Sequence, residues 1–322
     1  MNDGIRRLGR LIVAWCLASL LVMFNTDSLS EAGGPHRNAG TTGAQFLKID
    51  PGARYEAQGG SGVADASSVD AIYWNPAGLA GTDRRRVSFT RHDYIADINM
   101  NYLAYVQPTQ TNGVWGFALF HLDAGNMART EVDAAGDPVT GIGNFSAADL
   151  AWTVSYGRRI NSHGAFGVSG KFIQSRIDSI KGEAWALDAG LRWRLFEQFY
   201  VGAAVQNFGT DIKFQSEKFD LPLNYKFGAA FHPLVFKSQT PLRLGIDMNL
   251  PSDHRPYYNA GLEIWPAEIF AVRIGYDRRR RDLDRWFTGG FGIRMKAMEF
   301  NYTFTPAGDL KNAHRFNFGY EF

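Results

Sequence analysis

The sequence predicts an all-β chain: a transmembrane antiparallel β-barrel of about 14 strands, preceded by a small N-terminal plug segment. Three observations lead there. Through roughly the last two hundred residues, apolar and polar residues alternate strictly in blocks of about ten. The apolar face of each block is aromatic and aliphatic, while the other face is charged and glycine-rich, unsuited to a dry core. Apart from that alternation, no stretch reaches the roughly eighteen uninterrupted apolar residues that a membrane helix needs. A soluble sandwich would hide its apolar face against a second sheet. A closed barrel with hydrocarbon outside and a polar lumen satisfies both faces.

The elements follow in order. Arg6, Arg7 and Arg10 precede an apolar run from Leu11 to Phe24, too short to span a bilayer, so residues 1–32 read as a secretory signal peptide. Cleavage after Ala32 and cleavage after Ser30 both fit, because Ser30 or Ser28 then supplies the small residue two positions earlier. The single cysteine, Cys16, lies inside this run behind Trp15, whereas a lipoprotein signal wants a small residue there. The mature chain therefore carries no disulfide and no thiolate metal site. Export followed by a barrel implies the outer membrane of a Gram-negative-type cell. The expected partners are outer-membrane lipid, lipopolysaccharide and the barrel-assembly machinery. A net charge of +2 gives no support for a nucleic-acid partner. The 35 glycines suit an inner wall that is crowded or bends, and the 14% aromatic content suits two interface girdles.

Residues 33–85 read as leader and plug, and residues 86–322 as the barrel. Extended blocks fall at 86–92, 98–107, 114–122, 148–160, 165–177, 184–195, 199–207, 223–232, 242–249, 257–265, 269–276, 285–295, 297–304 and 314–322. In the sixth, Trp185, Leu187, Leu191, Trp193 and Leu195 face one way, and Ala186, Asp188, Arg192 and Arg194 the other. Long connections at 123–147, 208–222, 250–256, 277–284 and 305–313 alternate with short ones at 161–164, 196–198, 266–268 and Lys296, as external loops and periplasmic turns should. The first external loop is short, and 233–241 is longish for a turn. In block 114–122, Trp115, Phe117 and Leu119 compete with Val114, Ala118 and Phe120 for the outward face, which implies a bulge or a contact inside the lumen. Trp115, Trp193, Trp265 and Trp286 lie near strand ends and read as interface anchors.

Ahead of the barrel, residues 51–81 read PGARYEAQGGSGVADASSVDAIYWNPAGLAG. Gly59, Gly60 and Gly62 permit tight turns. Ser68 can cap a short turn through Ile72 and Tyr73, and Asn75 caps another that starts on Pro76 and closes at Gly81. This is a poor lipid-facing strand and a good plug; a periplasmic linker with glycine turns is the blander reading.

The stretch resembles the N-terminal segment of the FadL-like outer-membrane proteins, and more closely the PorV/PorQ branch. There, a GAR opening, a Gly-Gly turn and a Tyr-Trp-Asn-Pro-Ala-Gly-Leu run precede the first strand. Here these are Gly52, Ala53 and Arg54, then Gly59 and Gly60, then Tyr73, Trp74, Asn75, Pro76, Ala77, Gly78 and Leu79. Gln58 stands where that family usually has methionine. The resemblance covers essentially the mature chain. It implies that the plug folds into the barrel, and that Lys171, Asp188, Arg192, Arg194, Lys226, Arg243, Asp247, Glu263, Arg273 and Glu299 line a polar interior of mixed sign. Such charges pair and bridge through water, so an occluded lumen is expected instead of an ion channel. The last strand, with Phe316, Phe318, Tyr320 and Phe322 on one face, looks like the aromatic terminal strand by which such barrels are recognised for assembly.

What the PorV/PorQ resemblance implies for function is a shuttle in type IX protein secretion, docking secreted cargo proteins on external loops and rim and passing them to a cell-surface attachment protein. The alternative is FadL-like passive transport of hydrophobic small molecules. The 123–147 connection is mostly Ala, Gly and Asp with little apolar surface for a capture groove, which favours the export reading. A purely structural barrel is a third reading. Enzymatic motifs are missing: there is no His-Glu-x-x-His and no Gly-x-Ser-x-Gly, and no cofactor or metal is implied. Gly164 to Lys171 mimics a phosphate loop, but its glycine spacing is wrong and Phe172 follows the lysine. A hydrolase that borrowed Ser, His and Asp from neighbouring strands would leave no linear motif. Arg278, Arg279, Arg280 and Arg281, beside Asp282 and Asp284, suit either an anionic partner such as lipopolysaccharide or a self-paired solvated loop.

Overall fold

A computed structural model describes residues 36–94, 98–110, 113–235, 240–279, 286–306 and 312–322. The signal-peptide segment, residues 1–32 with Cys16 and both cleavage positions, lies outside the described residues, as do residues 33–35, Arg280, Arg281, Asp282 and Asp284.

The alternating blocks become the staves of a closed, 14-strand antiparallel barrel. Its strands are β1 (Arg86–Asp93), β2 (Asn99–Pro108), β3 (Gly113–Ala128), β4 (Asn144–Arg159), β5 (Gly164–Ile177), β6 (Ile180–Phe196), β7 (Phe199–Gly209), β8 (Asn224–Phe231), β9 (Thr240–Pro251), β10 (Tyr257–Ala267), β11 (Phe270–Asp277), β12 (Phe287–Met295), β13 (Met298–Thr305) and β14 (Ala313–Glu321). Closure is made where β14 pairs with β1, Arg86 facing Glu321 and Asp93 facing His314. Among the described residues the barrel sheet itself therefore has no free edge. The even number of strands brings both barrel ends to one rim, here called the turn end; the opposite rim carries the longer connections and is the loop end. Among the described residues no helix is long and apolar enough to cross a membrane.

Outside, the wall is greasy. Trp185 (64% exposed), Leu187, Leu191, Phe227, Phe318 and Phe322 stand out from it. Aromatic contacts run across strands, with Phe291 6.1 Å from Phe300 and Phe300 4.9 Å from Phe318 between ring centroids. The alternate residues Asp188, Asp247 and Glu263 are buried inside. Trp265 is a correction to the anchor reading: it shares its parity with inward Glu263, is buried, and lies under the Arg294 guanidinium, 4.4 Å from its ring centroid.

Three further features differ from the sequence expectation. β3 and β4 pair well into the 123–147 region, Met127 opposite Phe145, after a bulge between Asp123 and Asn126. Beyond them Glu131–Val132 and Pro138–Val139 form a small hairpin of their own. Likewise β6 starts at Ile180 and not at 184, because β5 turns tightly through Asp178 (φ 56°) and Ile177 pairs with Ile180. The competing faces of β3 resolve in favour of Trp115 and Phe117 outside, with Val114, Ala118 and Phe120 buried inside.

A bore of this strand number is too wide for side chains alone to fill. Residues 36–85 fill it. They enter at the loop end, where the Gly43 amide donates to the Asp220 carbonyl (2.9 Å) and the Thr42 hydroxyl to the Asp253 carboxylate (2.5 Å). They leave at the turn end, where Arg84 pairs with Glu321 (3.2 Å). Between lie a 3-10 turn at Gln45–Lys48, helix α1 (Ala53–Glu56), helix α2 (Ser68–Trp74) and a 3-10 turn at Pro76–Gly81. Asn75 caps the last of these, its side chain accepting from the Ala77 amide with Pro76 in the first turn. Ser68 does not cap α2: it is the first helical residue, at φ 57°, and Ser67 holds the N-cap position without a side-chain bond.

Candidate functional site

The lumen is where the chemistry-bearing residues meet, and its shape is set by glycine. From β3 to β12 every strand presents one inward glycine to the plug: Gly116, Gly157, Gly167, Gly190, Gly202, Gly228, Gly245, Gly261, Gly275 and Gly290. A Cβ at Gly190 would overlap the Asn75 side chain, one at Gly167 the Pro76 and Ala77 backbone, and one at Gly275 the Gly59 backbone. The pairing register lines several of them up, Gly157 with Gly167, Gly167 with Gly190, and Gly245 with Gly261 with Gly275. This band lets the plug backbone circle the wall in direct contact. At Gly59 and Gly60, φ values of 68° and 83° make the paired turn itself a glycine requirement. Gly62 has ordinary φ; its place is fixed by the Trp74 ring, 2.7 Å from where a Cβ would stand.

Buried plug amides and carbonyls need partners, and the wall supplies them. The Val63 amide donates to Asp247 (2.8 Å), the Gly59 amide to the Thr288 hydroxyl (3.1 Å), and Arg315 donates to the Gly52 carbonyl (3.1 Å). Asn75 donates to both the Val63 and Leu191 carbonyls, at 2.8 and 3.0 Å, tying two plug turns to β6.

The ten sequence-predicted lumen residues all lie on inner faces, but in separate groups. Glu263 is the hub of one. Arg54 grips it through two bonds (2.9 and 2.7 Å), with Arg273 at 2.7 Å and Arg243 at 3.3 Å. Arg243 continues to Asp65 (3.2 Å), which also meets His232 at 2.5 Å. Burial alone would raise the Asp65 carboxyl, but Arg243 and His232 hold it well below its ordinary value of 3.8. Glu299 pairs with Arg86 (2.9 Å) and Arg294 (3.1 Å). Lys171 pairs with Asp188 (2.7 Å) apart from these, and Lys226 sits 4.3 Å over the Trp74 ring. Arg192 lies over Tyr200 with its guanidinium beside Gly81 at the end of the plug, and Arg194 bonds the Ser162 carbonyl of a turn. Of the loop arginines, Arg279 turns inward to Asp277 (3.2 Å) and the Lys48 carbonyl (2.9 Å).

Sequence reasoning missed Asp65, Glu56, Arg315 and His92. Arg315 reaches Glu56 (3.4 Å) and His92 (3.0 Å). The two acids lie in a stretch without periodicity; the signal for Arg315 and His92 was their inward parity on β14 and β1.

The interior is not polar all round, a correction to the mixed-charge lining. From β2 to β6 the inner wall carries Met100, Tyr102, Val106, Phe120, Leu122 and Ile173, packed with Phe46, Ile72 and Leu79 of the plug. This apolar side opens at the loop end into a cavity of about 840 Å³ lined by Phe46, Ile49, Leu122, Ile177, Phe214 and Phe219 among others. The apolar surface comes from the plug, from strand ends and from residues 212–219, not from the 123–147 connection. Among the described residues no group of three or more His, Cys, Asp or Glu side chains is placed to hold a metal ion.

Among the solved structures that share this fold are proteins named as transporters and channels. The chain superposes on the Pseudomonas putida toluene transporter TodX with a TM-score of 0.60 at 12% identity, covering 84% of this chain and 98% of that one. For the Ralstonia pickettii toluene transporter TbuX the values are 0.59, 14%, 84% and 98%, and for a Pseudomonas aeruginosa FadL homologue 0.54, 10%, 84% and 98%. The likeness is one of fold. These neighbours are FadL-family barrels, and at such identities fold is all the likeness carries. No family model matches the chain, and no curated protein does either.

Proposed function

We propose that the protein is an outer-membrane channel through which hydrophobic small molecules pass without covalent chemistry, entering at the loop end. The observation that carries this is the apolar-lined cavity of about 840 Å³ seated at the mouth of a barrel whose axis is filled by its own N-terminal segment. A cavity of this size and lining suits a small apolar molecule, and a plug held by paired charges is ill suited to open ion flow. Neighbours named toluene transporters and a monoaromatic hydrocarbon channel are similar to it in barrel fold, which supports the reading. On this reading the greasy outer band meets lipid, the long connections meet lipopolysaccharide, and Phe316, Phe318, Tyr320 and Phe322 on the outer face of β14 serve the assembly machinery.

The export reading draws its support from residues 51–81. The plug accounts for those residues: Arg54 is held by Glu263, Asn75 by two carbonyls, and Gly59 by its turn. The motif therefore explains a fold and leaves cargo docking without a site of its own.

The test is a deletion strain assayed for two outputs. Accumulation of toluene or a naphthalene-type probe should fall and return with the intact gene, but not with a Phe46→Asp, Leu122→Asp double variant that charges the cavity. Unchanged probe uptake together with retention of normally secreted proteins would reverse the assignment in favour of export.

A further inference from the structure

Next to the apolar cavity is a second, much smaller chamber of about 50 Å³; the two share Lys48, Asp50, Glu56 and Arg279 in their walls. At roughly 10–15 Å³ of such volume per water, it has room for a few water-sized groups. Its lining is unlike the cavity's. Five of its side chains, Asp50, Asn224, Asn249, Asp253 and Asn259, each keep one buried polar atom without a hydrogen-bond partner among the described residues. Four of them, Asp50, Asn249, Asp253 and Asn259, are at most 5% exposed.

Each is nevertheless oriented by its other polar atom. Asp50 Oδ1 accepts from the Gly52 amide (2.8 Å), Asn224 Nδ2 donates to Asn249 Oδ1 (3.3 Å), and Asn259 Nδ2 donates to the Gly60 carbonyl (3.3 Å). Asp253 Oδ2 takes Thr42 (2.5 Å) and Lys48 (2.8 Å). What is left over is four oxygens, on Asp50, Asn224, Asp253 and Asn259, and the amide nitrogen of Asn249. Buried polar atoms in native proteins find partners in protein, ordered water or a ligand, so the set offers a polar guest more than one hydrogen bond.

We propose that the molecules carried are amphiphiles whose compact, uncharged hydrogen-bonding end, an alcohol, phenol or primary amide, enters this chamber while the apolar remainder occupies the adjoining cavity. This rests on the transport reading and narrows its substrate class. A hydroxyl or amide both donates and accepts, matching oxygens and nitrogen together, whereas a carboxylate brings acceptors only. The cations nearby are engaged: Lys48 on Asp253, Arg279 on Asp277, and Lys226 on the Trp74 ring. An ammonium end finds no spare charge either. Asp253 is already paired with Lys48 and Glu56 with Arg315, and burial pushes the Asp50 carboxyl up to about 8, against Arg315 and with help from Glu56.

The test uses the full chain in detergent and a matched set of probes, octane, 1-octanol, octanamide, octanoate and octylamine, each competing with a bound lipophilic fluorophore, with affinities corrected for partition into detergent. Octanol and octanamide should outcompete octane, octanoate and octylamine by about tenfold or more. Asn249→Leu and Asn259→Leu should reduce octanol's affinity by about tenfold and octane's by less, with heat-modifiable mobility on gels checking that the barrel is folded. Equal binding of all five, or a preference for octanoate or octylamine, overturns the inference and leaves transport standing, since octane still binds. Binding of none of them overturns both.

Discussion

The two halves of the inner wall hold the same plug by different physics. From β2 to β6 the contact is mainly hydrocarbon on hydrocarbon, Phe46, Ile72 and Leu79 clustered with Val106, Val114 and Phe120, with Asn75 on the Leu191 carbonyl and Arg159 on the Ala80 carbonyl as polar ties. From β9 through β14 to β1 it is charge and amide: Glu263 between Arg54, Arg243 and Arg273, Arg315 on Glu56 and the Gly52 carbonyl, and the Thr288 hydroxyl taking the Gly59 amide. Apolar contact is non-directional and tolerates small slippage; bidentate charge-assisted bonds fix distance and angle. The charged half therefore sets the register of the plug, and the apolar half supplies a greasy surface continuous with the cavity at the loop end. An interior polar on every side would hold a plug equally well and offer a hydrophobic molecule no wall to follow.

The largest break in this comparison should come from Glu263→Gln. It leaves the largely buried guanidinium groups of Arg54 and Arg273, with the half-buried one of Arg243, facing one neutral amide, at a cost of about 3–5 kcal/mol. The plug should loosen and anion flux should rise, visible as anion-selective conductance in planar bilayers; a variant as tightly closed as the parent would remove the hub role assigned to Glu263.

On the other half, Ile72→Ala should cost about 2–4 kcal/mol through the cavity left beside Gly116 and Val106. Hydrogen exchange of the α2 amides should accelerate without any change in ion preference. If exchange stays slow while selectivity shifts, the division of labour between the halves is wrong.

The smallest effect is one of pH. The folded Asp65 carboxyl lies below its ordinary value of 3.8, so its contribution is complete above that pH and is lost as pH falls below it toward the folded value. Parent and Asp65→Asn proteins should thus differ in plug stability at neutral pH and converge in strong acid, measured as the pH dependence of protease access to residues 61–67. A difference that persists unchanged in strong acid would mean the Asp65 contacts with Arg243 and His232 contribute nothing.

Much of this was legible in the sequence. The strand blocks, the outward side of β6 and β14 and the Asn75 cap follow from spacing alone, because alternation and capping are decided by residues one to three positions apart. β3 was legible only as a conflict, since Trp115 and Val114 are both apolar and their parity cannot tell lipid from plug. Trp265 was misplaced for a related reason: a tryptophan near a strand end suits a bilayer interface, and only its register beside Glu263 and Arg294 turns it inward. The glycines were countable, yet their alignment into a band appears only when neighbouring strands pair.

What the sequence determined by itself is the barrel, whose rule is local. What only the tertiary structure decided is the content of its lumen: which acid Arg54 finds 209 residues away, which side of the wall is greasy, and where polar atoms are left over. Those are contacts between residues far apart along the chain, and a period of two says only that a side chain points inward, never what it meets there.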